Sequence, residues 1–155
     1  MTPAIHCLKK AKIDFSLHEY DHDSGTVSYG REAALKLNIP MAQIFKTLVV
    51  LIDNKELWVA VVPVSGQLNT KAFARAAKAK KVKMAPRPDV ERSTGYVLGG
   101  VSPLGQKKPL KTVIDASAQD FETIYVSAGR RGLQVALSPL DLQSLTRACF
   151  EFIAR

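Results

Sequence analysis

Cysteine is scarce in this chain, with only Cys7 and Cys149 in 155 residues. Two thiols make no disulfide framework, so the fold has to rest on packing. Cys7 stands at helical spacing from Ala4, Leu8 and Ala11, and Cys149 from Leu142, Leu145 and Phe152. Both are expected to be small buried hydrophobes. Histidine is nearly as rare, at positions 6, 18 and 22. His18–His22 reads H-E-Y-D-H, letter for letter the zinc-protease pattern, but that pattern works only on a helix. Here Ile13, Phe15 and Leu17 alternate with Asp14, Ser16 and His18, which is strand spacing. On a strand, residues i and i+4 lie ~13 Å apart, too far for one metal with ~2 Å bonds. Neither a metal nor a cofactor is expected. Long apolar runs are missing too. The longest aliphatic stretch is Leu48–Ile52, against the ~20 residues a membrane helix needs. No apolar segment follows Lys9, Lys10 and Lys12, as a secretion signal would require. The expectation is a cytoplasmic protein with no membrane partner. Acidic residues are also short, 14 against 22 Lys and Arg, for a formal net charge of +8. Such an excess favours polyanionic partners.

What is present reads as a globular protein of one domain, residues 1–155, able to bury roughly 70% of its unfolded surface. Thr2-Pro3 opens a helix over Ala4–Lys12, with Thr2 as N-cap and Pro3 in the first turn. A half-buried strand through Ile13–Leu17 follows, then a turn-rich loop at Asp21–Gly25 and a short helix over Gly30–Asn38. Ile44–Ile52 and Leu57–Val64 flank the turn Asp53-Asn54 and form an antiparallel hairpin. Asn69 caps a helix to about Ala77. Lys78–Met84 carries four lysines and reads as a solvated surface, and Pro88–Arg92 as a helical turn or two. Short strands are expected at Val113–Ile114, Ile124–Ser127 and Leu133–Leu137. A closing amphipathic helix is expected from Ser138-Pro139 to about Phe152. The fold class is α+β, a mixed, mostly antiparallel sheet packed by helices.

Arg92–Lys108 holds four of the nine glycines: Gly95, Gly99, Gly100 and Gly105. Such a loop is either a turn-rich connection or a cradle of backbone N–H groups for an anion. Gly100–Gly105 has P-loop spacing, yet Gln106 stands where the phosphate lysine belongs and Lys108 replaces the metal-binding hydroxyl. Nucleotide triphosphate chemistry is excluded. Lys46 heads the row Leu48, Val50 and Ile52 on its strand. It is either a strand-end cation snorkelling to solvent or an ammonium at the mouth of a pocket. No G-x-S-x-G elbow, no histidine beside a serine or cysteine, and no carboxylate dyad supplies a protein nucleophile.

The segment S-T-G-Y-x-x-G-G-x-S-P-L-G-Q-K-K at Ser93–Lys108 resembles the Cys-tRNA(Pro) deacylases, freestanding relatives of the editing domain inserted in bacterial prolyl-tRNA synthetases. F-K-T-L-V-V at 45–50, P-V-S-G-Q-L at 63–68 and I-Y-V-S-A-G-R-R-G-L at 124–133 extend the resemblance over nearly the whole chain. It implies ester hydrolysis on a mischarged tRNA. It makes Lys46 the editing lysine, acting by positioning and electrostatics. Gly99, Gly100, Ser102 and Gly105 become the loop around the acyl carbonyl, and Tyr20, Tyr29, Thr47 and Ser127 the substrate pocket. Tyr29 departs from the Phe of related enzymes. Lys107, Lys108, Arg130 and Arg131 are the expected tRNA contacts. The implied partners are the tRNA(Pro) acceptor end and prolyl-tRNA synthetase, with no role for DNA. A cysteinyl ester would bring its own thiol, which accounts for the missing nucleophile. Two other readings stay open: a sister deacylase for another small amino acid such as alanine, and a non-catalytic tRNA- or synthetase-binding module.

Overall fold

The computed structural model describes residues 1–155. The first helix, α1 (Pro3–Ala11), starts where the Thr2 hydroxyl accepts the Ile5 N–H at 3.2 Å and stops at Lys12 in the left-handed conformation. Its inner face, Ala4, Ile5 and Leu8, is buried. Strand β1 (Ser16–Glu19) and helix α2 (Tyr29–Leu37) follow. The central hairpin is β2 (Phe45–Ile52) with β3 (Glu56–Pro63), in register from Phe45–Pro63 to Ile52–Glu56. Helix α3 (Thr70–Ala77) is capped by Asn69, whose side chain accepts the Ala72 N–H. Then come β4 (Val82–Met84), α4 (Arg87–Thr94), β5 (Lys111–Asp115), a 3-10 turn over Ala116–Asp120, β6 (Ile124–Arg130), β7 (Leu133–Leu137), α5 (Pro139–Thr146) and β8 (Cys149–Glu151). No helix is long and apolar enough to cross a membrane.

The strands form two sheets where the sequence suggests one. One has the order β1-β7-β6 and is antiparallel throughout. The other has the order β4-β2-β3-β5-β8, with β3–β5 and β5–β8 parallel. The division arises at β2. One edge of this strand is taken by β3 along its length. The other edge pairs with β4 through Val50–Ile52, whereas Ile44, just before β2, bridges to Tyr125 of β6. The two sheets therefore meet at the start of β2.

Both faces of β2 and β3 are covered, which is why they read as continuous apolar runs. Phe45, Val49, Val59 and Val61 pack with Val126, Val135 and Leu137 in the main core. Val50, Ile52, Ala60 and Val62 pack with Phe73 of α3 and with Ile153.

The closing helix is shorter than expected. It ends at Thr146, whose hydroxyl turns back to the Leu142 carbonyl at 2.7 Å, and Arg147 follows in the left-handed conformation. Cys149–Glu151 then joins β5 as a parallel strand. Cys149 is consequently exposed, not buried, while Cys7 is half-buried against the main core. The strand β4 inside the lysine run also went unforeseen. Val82 packs toward α3 while the lysines around it stay exposed.

Candidate active site

A cleft of about 920 Å³ opens where the two sheets meet. Its wall is made of Phe45–Leu48 at the start of β2, the connection Val64–Gln67 after β3, the entry to α2 from Val27 to Arg31, and Leu98, Gly99 and Val101 of the glycine-rich loop. Ser127 of β6 and Gln134 of β7, cross-strand neighbours in register, complete it with Arg155.

Lys46 enters the cleft and donates from Nζ to the Gly66 carbonyl at 3.1 Å. It belongs to none of the six ion pairs of the protein. Burial holds its pKa below the ordinary lysine value, because an ammonium leaving water without a counter-charge is disfavoured. Arg31 and Arg155 add two more cations to the wall, and no Asp or Glu faces them. The cleft suits a substrate rich in negative charge.

Two buried side-chain polar atoms lack a hydrogen-bond partner, Thr47 Oγ1 and Gln134 Oε1, and both residues are on this wall. Leaving a buried polar atom unpaired costs about 1–3 kcal/mol, so two of them in one cleft point to a ligand that satisfies them. Tyr20 is not on the wall. It packs against Ala33, Ala34 and Ile44, and burial raises its phenol pKa.

The glycine-rich loop divides in two. Gly99 lies on the wall at φ +88°, under the ring of Tyr29, and a Cβ there would come within 2.8 Å of that ring. Arg131 stacks on the other part of this arrangement, with its guanidinium 4.9 Å from the Tyr29 centroid and Nε donating to the Leu98 carbonyl at 2.9 Å. The Gly100 N–H donates to the Val97 carbonyl at 2.9 Å, whereas the N–H groups of Gly99 and Val101 have no partner within the chain. Ser102 and Gly105 are placed away from the wall. Ser102 is fully buried, with its hydroxyl accepting the Leu104 N–H at 3.2 Å. Gly105 presses on α1, where a Cβ would meet the Pro3 carbonyl oxygen at 2.5 Å. Gly100 packs on the backbone of Arg130.

Of the expected residues, the cleft brings together Lys46, Thr47, Tyr29, Gly99 and Ser127. Lys107 and Lys108 are exposed outside it, and Arg130 is paired with Glu19 at 3.3 Å. Gln134 and Arg155 were not foreseen. Gln134 looked like a strand interior residue, and only its pairing opposite Ser127 reveals its place. The H-E-Y-D-H stretch runs from β1 into a loop, with His22 bound to buried Glu32 at 2.6 Å.

This α+β fold is shared with known structures. One is a provisionally assigned trans-editing enzyme for prolyl tRNA synthetase (TM-score 0.85, 21% identity, 99% of this chain and 95% of that one). Another is the hypothetical protein APE2540 (TM-score 0.88, 24% identity, 99% of each chain). The chain belongs to the aminoacyl-tRNA editing domain family, whose signature matches residues 25–145. It is 37% identical over 149 residues, 96% of its length and 90% of the relative's, to EbsC of Enterococcus faecalis, provisionally named a Cys-tRNA(Pro)/Cys-tRNA(Cys) deacylase. It is also 32% identical over 105 residues to a proline–tRNA ligase of Sulfurihydrogenibium, covering 68% of this chain but 18% of the ligase.

Proposed function

We propose that the protein is a trans-editing hydrolase that removes cysteine from mischarged Cys-tRNA(Pro). The observation that carries this reading is that Lys46, Thr47 and Gln134, the last two each with an unpaired buried side-chain oxygen, line one cleft whose wall has no Asp or Glu. The two neutral acceptors suit the α-amine of an aminoacyl ester. Lys46, Arg31 and Arg155 suit the terminal phosphates of the RNA. The free N–H groups of Gly99 and Val101 suit a developing oxyanion. A proline pocket rejects a near-isostere such as cysteine only weakly, so a second sieve is of use. The likeness to a part of proline–tRNA ligases supports tRNA(Pro) and prolyl-tRNA synthetase as partners.

The wall contains no Cys, His, Asp or Glu, so the protein offers neither a thiol nor a carboxylate nucleophile there, and Lys46, its pKa lowered by burial, is the one basic group with a proton to exchange. The substrate's own thiol fills the role. Its thiolate attacks the ester carbonyl, the ribose oxygen leaves with a proton, and the resulting thiolactone is opened by water to cysteine. Holding thiol and carbonyl together can contribute roughly 7–11 kcal/mol against the barrier to closing the four-membered ring. Neither enzyme cysteine lines the cleft, and partial desolvation of the Cys149 side chain, together with nearby Glu151, raises its pKa.

The test compares cysteinyl-, S-methylcysteinyl- and alanyl-tRNA(Pro). Only the first should be hydrolysed fast. Equal rates on all three would overturn thiol assistance, and a preference for alanine would make this a sister deacylase.

A further inference from the structure

The positive charge is not spread over the molecule. Between Glu56 and Asp89 the chain has no acidic residue and seven basic ones. The rest of the sequence holds 15 Lys and Arg against 14 Asp and Glu, so this segment carries almost the whole net charge. The fold then sorts it. Lys71, Arg75 and Lys78 are spaced i, i+4, i+7 along α3 and its C-cap, which places them on one stripe. All three are exposed, while Phe73, Ala76 and Ala77 face the sheet. Lys80, Lys81 and Lys83 continue the charge through the turn and the edge strand β4, also exposed. None of these six is in an ion pair; Arg87 alone is bound, to Glu91 at 3.4 Å. Neighbouring Asp53 accepts the Lys80 and Lys81 backbone N–H groups on Oδ1 at 3.0 and 2.8 Å and forms no ion pair with any of these side chains.

Lysines on an edge strand also discourage pairing with another chain. That accounts for Lys81 and Lys83 but not for the stripe on α3, which is not on the edge. The position of the patch suggests a second use. β2 carries Lys46 into the cleft and, four and six residues later, Val50 and Ile52 pair with β4. At ~3.3 Å per residue this is about 13–20 Å, the length of roughly four to six phosphates along one strand of a duplex. α3 itself begins three residues after Gln67 of the cleft wall.

We propose that the outer face of α3 and the edge of β4 form a docking surface for the phosphate backbone of a duplex RNA stem whose single-stranded 3′ end reaches into the cleft. The proposal rests on the deacylase reading of the cleft, but its test does not need catalysis. Binding of uncharged tRNA is measured against salt for the wild type and for the triple variant Lys71→Gln, Arg75→Gln, Lys78→Gln, with melting curves to confirm that both are folded. Each lost phosphate contact lowers the slope of log K against log salt by about 0.7–0.9. The triple variant should therefore bind with a slope smaller by about 2–3. Lys71→Arg with Lys78→Arg should keep the wild-type slope. An unchanged slope in the glutamine variant overturns the proposal. So does a variant that binds tRNA normally but no longer associates with prolyl-tRNA synthetase, since the patch would then be a protein contact.

Discussion

Thr47 and Lys46 are adjacent in β2 yet answer to different physics. Thr47 Oγ1 is buried without a partner, so Thr47→Val should stabilise the protein by about 1–2 kcal/mol by removing a desolvated hydroxyl from a strand that favours Val. The same change should raise KM for the aminoacyl ester, and thermal melting beside steady-state kinetics checks both halves. Lys46→Ala should fold normally and lose about 10²-fold or more in deacylation, the scale of one electrostatic contact to a transition state. Near wild-type turnover would remove Lys46 from the chemistry. Lys46 could be picked out in the sequence only through the resemblance of F-K-T-L-V-V to the family's motif, since a lysine opening an apolar row is usually a strand-end cation. Gln134 could not, because a polar residue in a strand is ordinary until the strand opposite is known.

Among the elements, the glycine-rich loop and the loop before α2 make separable predictions. Gly99→Ala puts a Cβ within 2.8 Å of Tyr29 at φ +88°, so it should displace the ring and damage activity. Gly105→Ala meets the Pro3 backbone at 2.5 Å at φ +65° and should cost roughly 2–3 kcal/mol in stability through strain and a clash that no side chain can relieve. Activity per folded molecule should survive it. The loop before α2 is held by Glu32, which is 6% exposed. Burial alone would raise its pKa, but hydrogen bonds from His22 and the Asp23 N–H outweigh that and bring it to about 2. A folded pKa below the unfolded value of 4.5 means stability that is present above about pH 4.5 and lost as pH falls toward 2. The shift corresponds to about 3 kcal/mol. Glu32→Gln should be less stable at pH 7 and should lose part of the wild type's acid sensitivity over that window, as pH-dependent denaturation would show.

The elements themselves were legible in proportion to how much of their stability is local. Caps at Thr2 and Asn69 fixed two helix starts, and the turn Asp53-Asn54 fixed the hairpin. The three-residue strands β4 and β8 were not legible, because their order comes from partners, Val50–Ile52 in one case and Val113–Asp115 in the other. The helical pattern through Cys149 was real but was overridden by that pairing.

For the whole molecule, the class α+β with mostly antiparallel pairing follows from alternating short strands and helices. The split into two sheets does not, since it turns on the second edge of β2, taken by β4 along Val50–Ile52 and joined to β6 only by the bridge Ile44–Tyr125. The cleft that arises at the split was equally hidden. Net charge of +8 predicts that tRNA affinity falls steeply between 50 and 200 mM salt, by about 10³-fold if six or so phosphates are neutralised. A flat dependence would show that the charge does not face the RNA.

The three-stranded sheet pairs Ser16 with Ala136, so β1 waits for residues made 120 positions later before it has a neighbour. During synthesis at about 5–20 residues per second, the N-terminal strand would spend several seconds unpaired outside the ribosome. A topology so rich in distant pairings also folds slowly, on a scale of milliseconds to seconds rather than microseconds. Refolding by rapid dilution should show β1 protected from hydrogen exchange no earlier than β7. A protein proposed to correct errors of translation would thus itself carry, while it is being translated, a strand still waiting for its partner.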